Sequence, residues 1–204
     1  MSQALTPLAG ALLGLLNEEP RSGYDLRRVF ALTPMGHFSD SPGAIYPALR
    51  RLRSAGLVES TVDASAPLRP REVYHVTPAG LAALRAWATA PPTRDDVIAG
   101  VEIVVLRFVL AHSSAGVAAS RRLLEQLERE LVAYAAEIRE FYRAAAPGMH
   151  AAARLGLENG LEMFETYIRW CRRARRTLTD GKGKGKRKAK ATMTVKKTTH
   201  GAER

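Results

Sequence analysis

Between residues 41 and 53 the sequence SPGAIYPALRRLR places two different faces on what reads as one helix. Ile45, Leu49 and Leu52 fall at i, i+4 and i+7, so they share a face suited to packing on neighbouring helices. Tyr46, Arg50 and Arg53 repeat that spacing one position on and form an adjoining face with one aromatic ring and two guanidinium groups. Ser41-Pro42 is an N-cap followed by Pro at the first helical position. Gly43 and Ala44 keep the start slim enough to enter a groove. The amides of such a helix start meet phosphate oxygens, and Arg holds guanine through two hydrogen bonds. The chemistry implied is contact with duplex DNA: base reading by Gly43, Ala44, Tyr46 and Arg50, and phosphate contact by Arg53 nearer the helix end. Taken alone, the segment also fits a charged, solvated face on an ordinary helix. Arg69 and Arg71 add a second cationic probe beside it, and Tyr24, opening the preceding helix, has a hydroxyl that reaches backbone phosphate. Pro47 removes an amide donor and crowds the carbonyl of Gly43, so a loosened or kinked first turn is expected.

These residues need a frame. Thr6 and Pro7 start a helix whose Leu8, Leu12, Leu15 and Leu16 lie on one face. Residues 17–22 read as a turn, Gly23 to about Leu32 as a second helix, residues 33–40 as a loop, and Ser41 to about Ala55 as the third helix, stopped at Gly56. Leu57–Val62 and Glu72–Val76 read as strands around the Pro- and Arg-rich loop of residues 63–71. Thr77-Pro78 opens a fourth helix ending near Ala90. Helix, helix, helix, strand, loop, strand, helix is the layout of a winged helix-turn-helix, and the second helix of its helix-turn-helix pair, here the third helix of the chain, ordinarily enters the major groove.

Three stretches now carry a family likeness: LLGLLNEEPRSGYDL (Leu12–Leu26), SPGAIYPALRRLRSAGLV (Ser41–Val58) and REVYHVTPAGLAAL (Arg71–Leu84). Their order and spacing resemble the PadR family of bacterial transcriptional regulators over about residues 8–90. Val76 replaces the commoner Leu before Thr77, and residues 33–40 match no motif. The resemblance implies DNA roles for Tyr24, Tyr46 and the wing cations Arg69 and Arg71, and places Pro47 at the family's own Tyr-Pro position.

Past Pro91-Pro92-Thr93 the chain reads as helix from 94 to 178. Val117, Leu124, Leu131 and Ile138 repeat every seven residues, and Ser120, Leu127, Tyr134 and Phe141 follow three residues on. Leu157, Leu161, Phe164, Ile168 and Cys171 continue the spacing on a later helix. Periodicity leaves a monomeric bundle and an intermolecular seam equally open. The resemblance implies a homodimer, with Leu124, Leu127, Leu131, Tyr134, Ile138, Phe141, Leu161, Phe164 and Ile168 at its seam. Val97–Leu110 is apolar almost all round and is expected to be the most buried helix. Trp87, Val101, Val105 and Phe108 are the candidates for lining a pocket for a small apolar or aromatic effector, against the plainer reading of core. By the resemblance, such an effector alters the spacing of two recognition helices.

The expected fold is thus mainly α with a small β-wing: a winged helix-turn-helix over 1–90, a helical dimerisation domain over 94–178, and a basic, disordered tail over 179–204. The net charge of +11 says little about the helix at 41–53. Residues 181–204 hold nine Lys/Arg against one acid, whereas residues 1–180 hold 22 against 19. The tail reads equally as a nonspecific DNA contact through counterion release and as a solubilising or incidental extension. It makes an architectural, largely nonspecific DNA-binding protein the rival to a sequence-specific regulator, expected to be a repressor. A winged helix that binds only protein is a second rival. The single cysteine, Cys171, excludes an internal disulfide, and on the apolar seam it reads as a buried neutral thiol. The five histidines are scattered without ligand spacing, and no phosphate loop or nucleophile elbow occurs, so no metal, cofactor or enzymatic activity is expected. With no signal-like start and no span long enough for a bilayer, a cytoplasmic protein without membrane contact is expected.

Overall fold

The computed structural model describes residues 5–38, 42–63 and 71–180. Ser41, Arg69 and the tail from residue 181 onward lie outside the described residues, whereas residues 179–180, read in sequence as the start of the disordered tail, are the end of the last helix. Helix α1 (Pro7–Glu18) begins where the start signals place it: Thr6 Oγ1 accepts the Ala9 amide at 3.2 Å, with Pro7 next. Helix α2 (Gly23–Leu32) is held by a reciprocal capping box in which Ser22 Oγ accepts the Asp25 amide and the Asp25 carboxylate accepts the Ser22 amide.

Three readings of this half need correction. Residues 17–22 are not all turn. Arg21–Ser22 forms a short strand, β1, too brief for any alternation to announce it, which exists because β3 offers it a free edge. The third helix is not one α-helix from Pro42. A 3₁₀ turn over Pro42–Ala44 precedes α3 (Ile45–Ser54). Pro47 supplies the reason: it occupies the third position of α3, where its missing amide has no intrahelical partner to lose, so the α-helix begins only two residues before it. The stretch after α2 also holds structure, a 3₁₀ turn over Pro34–Phe38. Thr33 Oγ1 donates to the Val29 carbonyl at 2.8 Å and accepts the Met35 amide at 3.3 Å, which starts that turn.

The wing is β2 (Val58–Asp63) paired antiparallel with β3 (Arg71–Val76), in register from Val58 opposite Val76 to Asp63 opposite Arg71. β1 lies on the other side of β3, giving the order β1-β3-β2. Helix α4 (Pro78–Thr89) follows, with Thr77 Oγ1 accepting the Gly80 amide and donating to the Gly56 carbonyl at 2.7 Å.

Val97–Leu110 is not one buried helix. Gly100 stands at φ +143°, a backbone conformation that side-chain-bearing residues rarely adopt, and divides it into α5 (Arg94–Ala99) and α6 (Val101–Ala115). Ile98 and Val109 are exposed. Two long helices complete the chain, α7 (Val117–Ala145) and α8 (Ala151–Asp180), packed against each other.

Two apolar cores result. One joins α1, α2, α3, α4 and the wing around Leu12, Leu26, Ile45, Leu49 and Leu84. The other joins α7 and α8 around Leu124, Leu127, Leu131, Phe164 and Ile168. Helix α6 enters both: Leu106, Leu110 and Ala111 belong to the first, Val101 and Val104 to the second. Among the described residues no helix is long and apolar enough to cross a membrane.

Where the halves meet, Arg107 is buried. Its Nε donates to the Trp87 carbonyl at 3.1 Å, one terminal nitrogen donates to the Ala90 carbonyl, and the other lies 3.7 Å from Asp96 Oδ2. Burial pulls its pKa down while Asp96 opposes that shift. Arg107→Met keeps the apolar stem and leaves these acceptors unsatisfied, so urea denaturation is expected to show a loss of about 2–4 kcal/mol.

Candidate nucleic-acid interface

Helix α3 divides as its spacing requires. Ile45, Leu49 and Leu52 are buried against α1 and α2, whereas Tyr46, Arg50 and Arg53 face outward, with Tyr46 41% exposed. Gly43 is exposed and Ala44 half-buried at the 3₁₀ start. Tyr24 is exposed on the first turn of α2, with the Arg27 guanidinium 5.7 Å from its ring centre. Arg71 is exposed at the first position of β3. The described candidates therefore lie on the first turn of α2, along α3 and the 3₁₀ turn before it, and on one wing strand.

Two residues not foreseen shape this surface. Gly23 is the floor on which Tyr46 lies: a β-carbon added there would stand 2.6 Å from Cε1 of the Tyr46 ring. The glycine reads in sequence only as a helix start. The second is Glu72, the one acid in REVYHV. Its Oε1 accepts from Arg53 Nη1 at 2.5 Å and from Ser60 Oγ at 2.8 Å, and its Oε2 accepts from the Tyr74 hydroxyl at 2.8 Å. The Tyr74 and Ser60 hydroxyls and the Arg53 guanidinium together hold the Glu72 carboxyl below its ordinary pKa. Burial, and then Glu72, push the Tyr74 phenol up to about 12. Arg53 is therefore engaged with the wing rather than free.

The expected seam of the helical half is filled within one chain. Leu124, Leu127 and Leu131 are fully buried, and Phe164 and Ile168 nearly so, against one another and Val101 and Val104. Tyr134 packs edge-on to Phe164 at 5.2 Å, and Leu161 flanks them, half-buried. Within the single chain these residues face α6, α7 or α8. Ile138 is half-buried, and Phe141, by contrast, is exposed. Cys171 is buried, and its thiol is pushed up to about 12 by burial and then by Glu128, as suits an inert thiol.

A groove of about 760 Å³ opens between α1, the 3₁₀ turn after α2, α6 and α8. Of the four residues expected to line a pocket, only Val105 does. Trp87 packs on Gly10 in the first core, Val101 is buried in the second, and Phe108 stacks edge-on with Trp170 at 5.6 Å. The groove is instead lined by Met35, Phe38, Val109 and Trp170, with His37, Arg169 and Arg173 as its basic members and Glu18 and Glu102 as its acids. Tyr167 donates to Glu102 Oε1 at 3.1 Å in its wall. These residues, from Glu18 to Arg173, come from four elements far apart in the chain, a gathering that no local pattern announces.

Comparison with known proteins gives one family. The model of the transcriptional regulator PadR-like family matches residues 12–86. No curated protein matches the chain. Among solved structures, the chain is similar to a PadR-like transcriptional regulator of Bacillus cereus at 22% identity, covering 87% of this chain and 99% of that one, with a TM-score of 0.38. Bacillus subtilis PadR in complex with operator DNA gives 22% identity, 84% and 98% coverage and a TM-score of 0.41. The same protein in complex with p-coumaric acid gives 19%, 88% and 99%, and 0.36.

The Gly23 contact yields a test. Alanine in the first turn of a helix ordinarily favours the helix over glycine by about 0.5–1 kcal/mol. Gly23→Ala is expected to leave the thermal melt unchanged or raised while weakening DNA binding about tenfold, because the Tyr46 ring must move off its floor. Fluorescence anisotropy with labelled duplex, beside a circular-dichroism melt, separates the two effects.

Proposed function

Since residues 12–86 are a PadR-like transcriptional regulator domain, we propose that the chain is a sequence-specific DNA-binding repressor that works as a homodimer and is released by a small aromatic acid. The observation that carries the DNA part is the two-faced helix α3: a buried apolar stripe locks it to α1 and α2 while Tyr46 and Arg50 stand exposed on the adjoining stripe. An anchored helix with a short cationic and aromatic outer row is the geometry of base-edge readout. Tyr24 and Arg71 supply flanking phosphate contacts, and Gly43 and Ala44 let the helix start approach. Ser41 and Arg69, outside the described residues, belong to the same set.

A palindromic site needs two such helices in fixed relation. The dimer is proposed through the outer face of the long helices. Phe141, Leu155 and Met163 are exposed there, and a β-carbon at Gly156 or Gly160 would meet only open space, so a second helix has room to approach.

The groove behind α3 supports the release. Its lining is mostly apolar, with Phe38 and Trp170 to flank a ring and Arg169 or Arg173 to receive a carboxylate. It touches α1 of the DNA-binding half and α8 of the helical half, so an occupant biases how the two sit together.

Two experiments test this. Selection of duplexes from a random pool by the full chain should return a two-fold symmetric site. Tyr46→Ala with Arg50→Ala should reduce affinity for that site by about 10²-fold or more while sparing the fold; unchanged affinity would sink the DNA reading. For the groove, p-coumaric acid, the acid in the complex of the Bacillus subtilis relative, is the probe. Val109→Trp should fill the space, abolish calorimetric binding of that acid and leave DNA affinity within about twofold. An acid that binds the variant as it binds the parent would remove the groove from the mechanism.

A further inference from the structure

The outer row of α3 has three members at i, i+4 and i+7, yet they are not equivalent. Tyr46 and Arg50 stand exposed, whereas Arg53 Nη1 donates to Glu72 Oε1 at 2.5 Å and lies 3.4 Å from Ser60 Oγ. The carboxylate is itself held by the Ser60 and Tyr74 hydroxyls. Tyr74 is buried and sits opposite Ser60 in the β2–β3 register, so the anchor of Glu72 is part of the sheet rather than a loose surface pair. One acid therefore ties the last turn of the recognition helix to both strands of the wing.

Resting on the DNA reading above, we propose that Glu72 is a specificity-determining positioning residue: it withholds the Arg53 guanidinium from the phosphate backbone. A cation that meets phosphate raises affinity for every duplex alike, since phosphate contacts carry no sequence information. Each such contact steepens the fall of log affinity with log salt by about 0.9. A carboxylate that occupies Arg53 lowers nonspecific binding and leaves discrimination to Tyr46 and Arg50. The same carboxylate sets the angle of the wing against the helix, so that Arg71 meets phosphate from a fixed direction.

Glu72→Gln tests this in the full-length protein. The amide oxygen keeps an acceptor for Ser60, which bonds Oε1, and the amide NH2 takes the place of Oε2 and donates to the Tyr74 hydroxyl, so the wing stays assembled while the charge holding Arg53 is gone. Affinity for a mixed-sequence duplex is expected to rise about 3- to 10-fold, with a salt slope steeper by about 0.9. The ratio of selected-site to mixed-sequence affinity is expected to fall. The gain is expected to vanish when Glu72→Gln is introduced into an Arg53→Gln background, which separates release of Arg53 from mere removal of a negative charge near DNA. The basic tail contributes equally to every variant and drops out of these differences. Tyr74→Phe, which removes one support of the carboxylate, is expected to move the same quantities in the same direction by less, and serves if Glu72→Gln does not fold. Equal loss of affinity for both duplexes at unchanged slope overturns the proposal and leaves Glu72 a strut of the wing. A gain that persists without Arg53 also overturns it. If the parent chain selects a site and Tyr46→Ala with Arg50→Ala abolishes that selection, the DNA reading stands whatever Glu72 does; if the parent binds no duplex, both fall.

Discussion

The helix over residues 101–115 presents two apolar stripes, and each belongs to a different core. Leu106 and Leu110, four residues apart, pack with α1 and α4; Val101 and Val104 pack with α7 and α8. A helix has one axis, so any shift of one stripe moves the other. The buried Arg107 stiffens the joint, because its guanidinium ties the end of α4 and the Asp96 carboxylate to that same helix. The DNA-facing half therefore has no independent seat. Its orientation is set by how α6 lies against the long helices, and the groove lined by Val105 and Val109 runs along the same helix.

On the DNA-facing side the geometry is built from contacts of unequal kind. Apolar burial of Ile45, Leu49 and Leu52 fixes where α3 lies. A glycine fixes where the Tyr46 ring lies. A carboxylate fixes where the Arg53 guanidinium lies. Only the first is a consequence of hydrophobic spacing. The other two depend on residues from α2 and β3, elements whose own patterns announce nothing of such a role.

The helical half shows what periodicity specifies and what it leaves open. The seven-residue repeat over Val117–Phe141 does produce a seam, with Leu124, Leu127 and Leu131 buried completely. The repeat specifies that a helix must cover that face and is silent about which chain supplies it. Here α8 of the same chain covers it, because the short connection over residues 146–150 lets α8 turn back along α7. The apolar side chains left exposed on the long helices are Val117 and Phe141 at the two ends of the repeat, Val132 off its seam, and Leu155 and Met163 on α8.

The sequence by itself determined the helix starts at Thr6 and Thr77, the two strands of the wing hairpin and the two faces of α3. All of these are properties of neighbours within about seven residues, where periodicity and capping act. It also carried the family pattern over residues 12–86. The tertiary structure decided what depends on distant segments meeting: that β3 has room for a third strand, that Gly100 breaks an apolar run into two helices, that the groove falls between α1 and α8, and that Glu72 holds Arg53. A carboxylate on a strand and an arginine on a helix 19 positions earlier have no sequence signature as a pair. Their encounter follows from the β2–β3 register and the close of α3 onto it, and both are fixed only when the core beneath has formed.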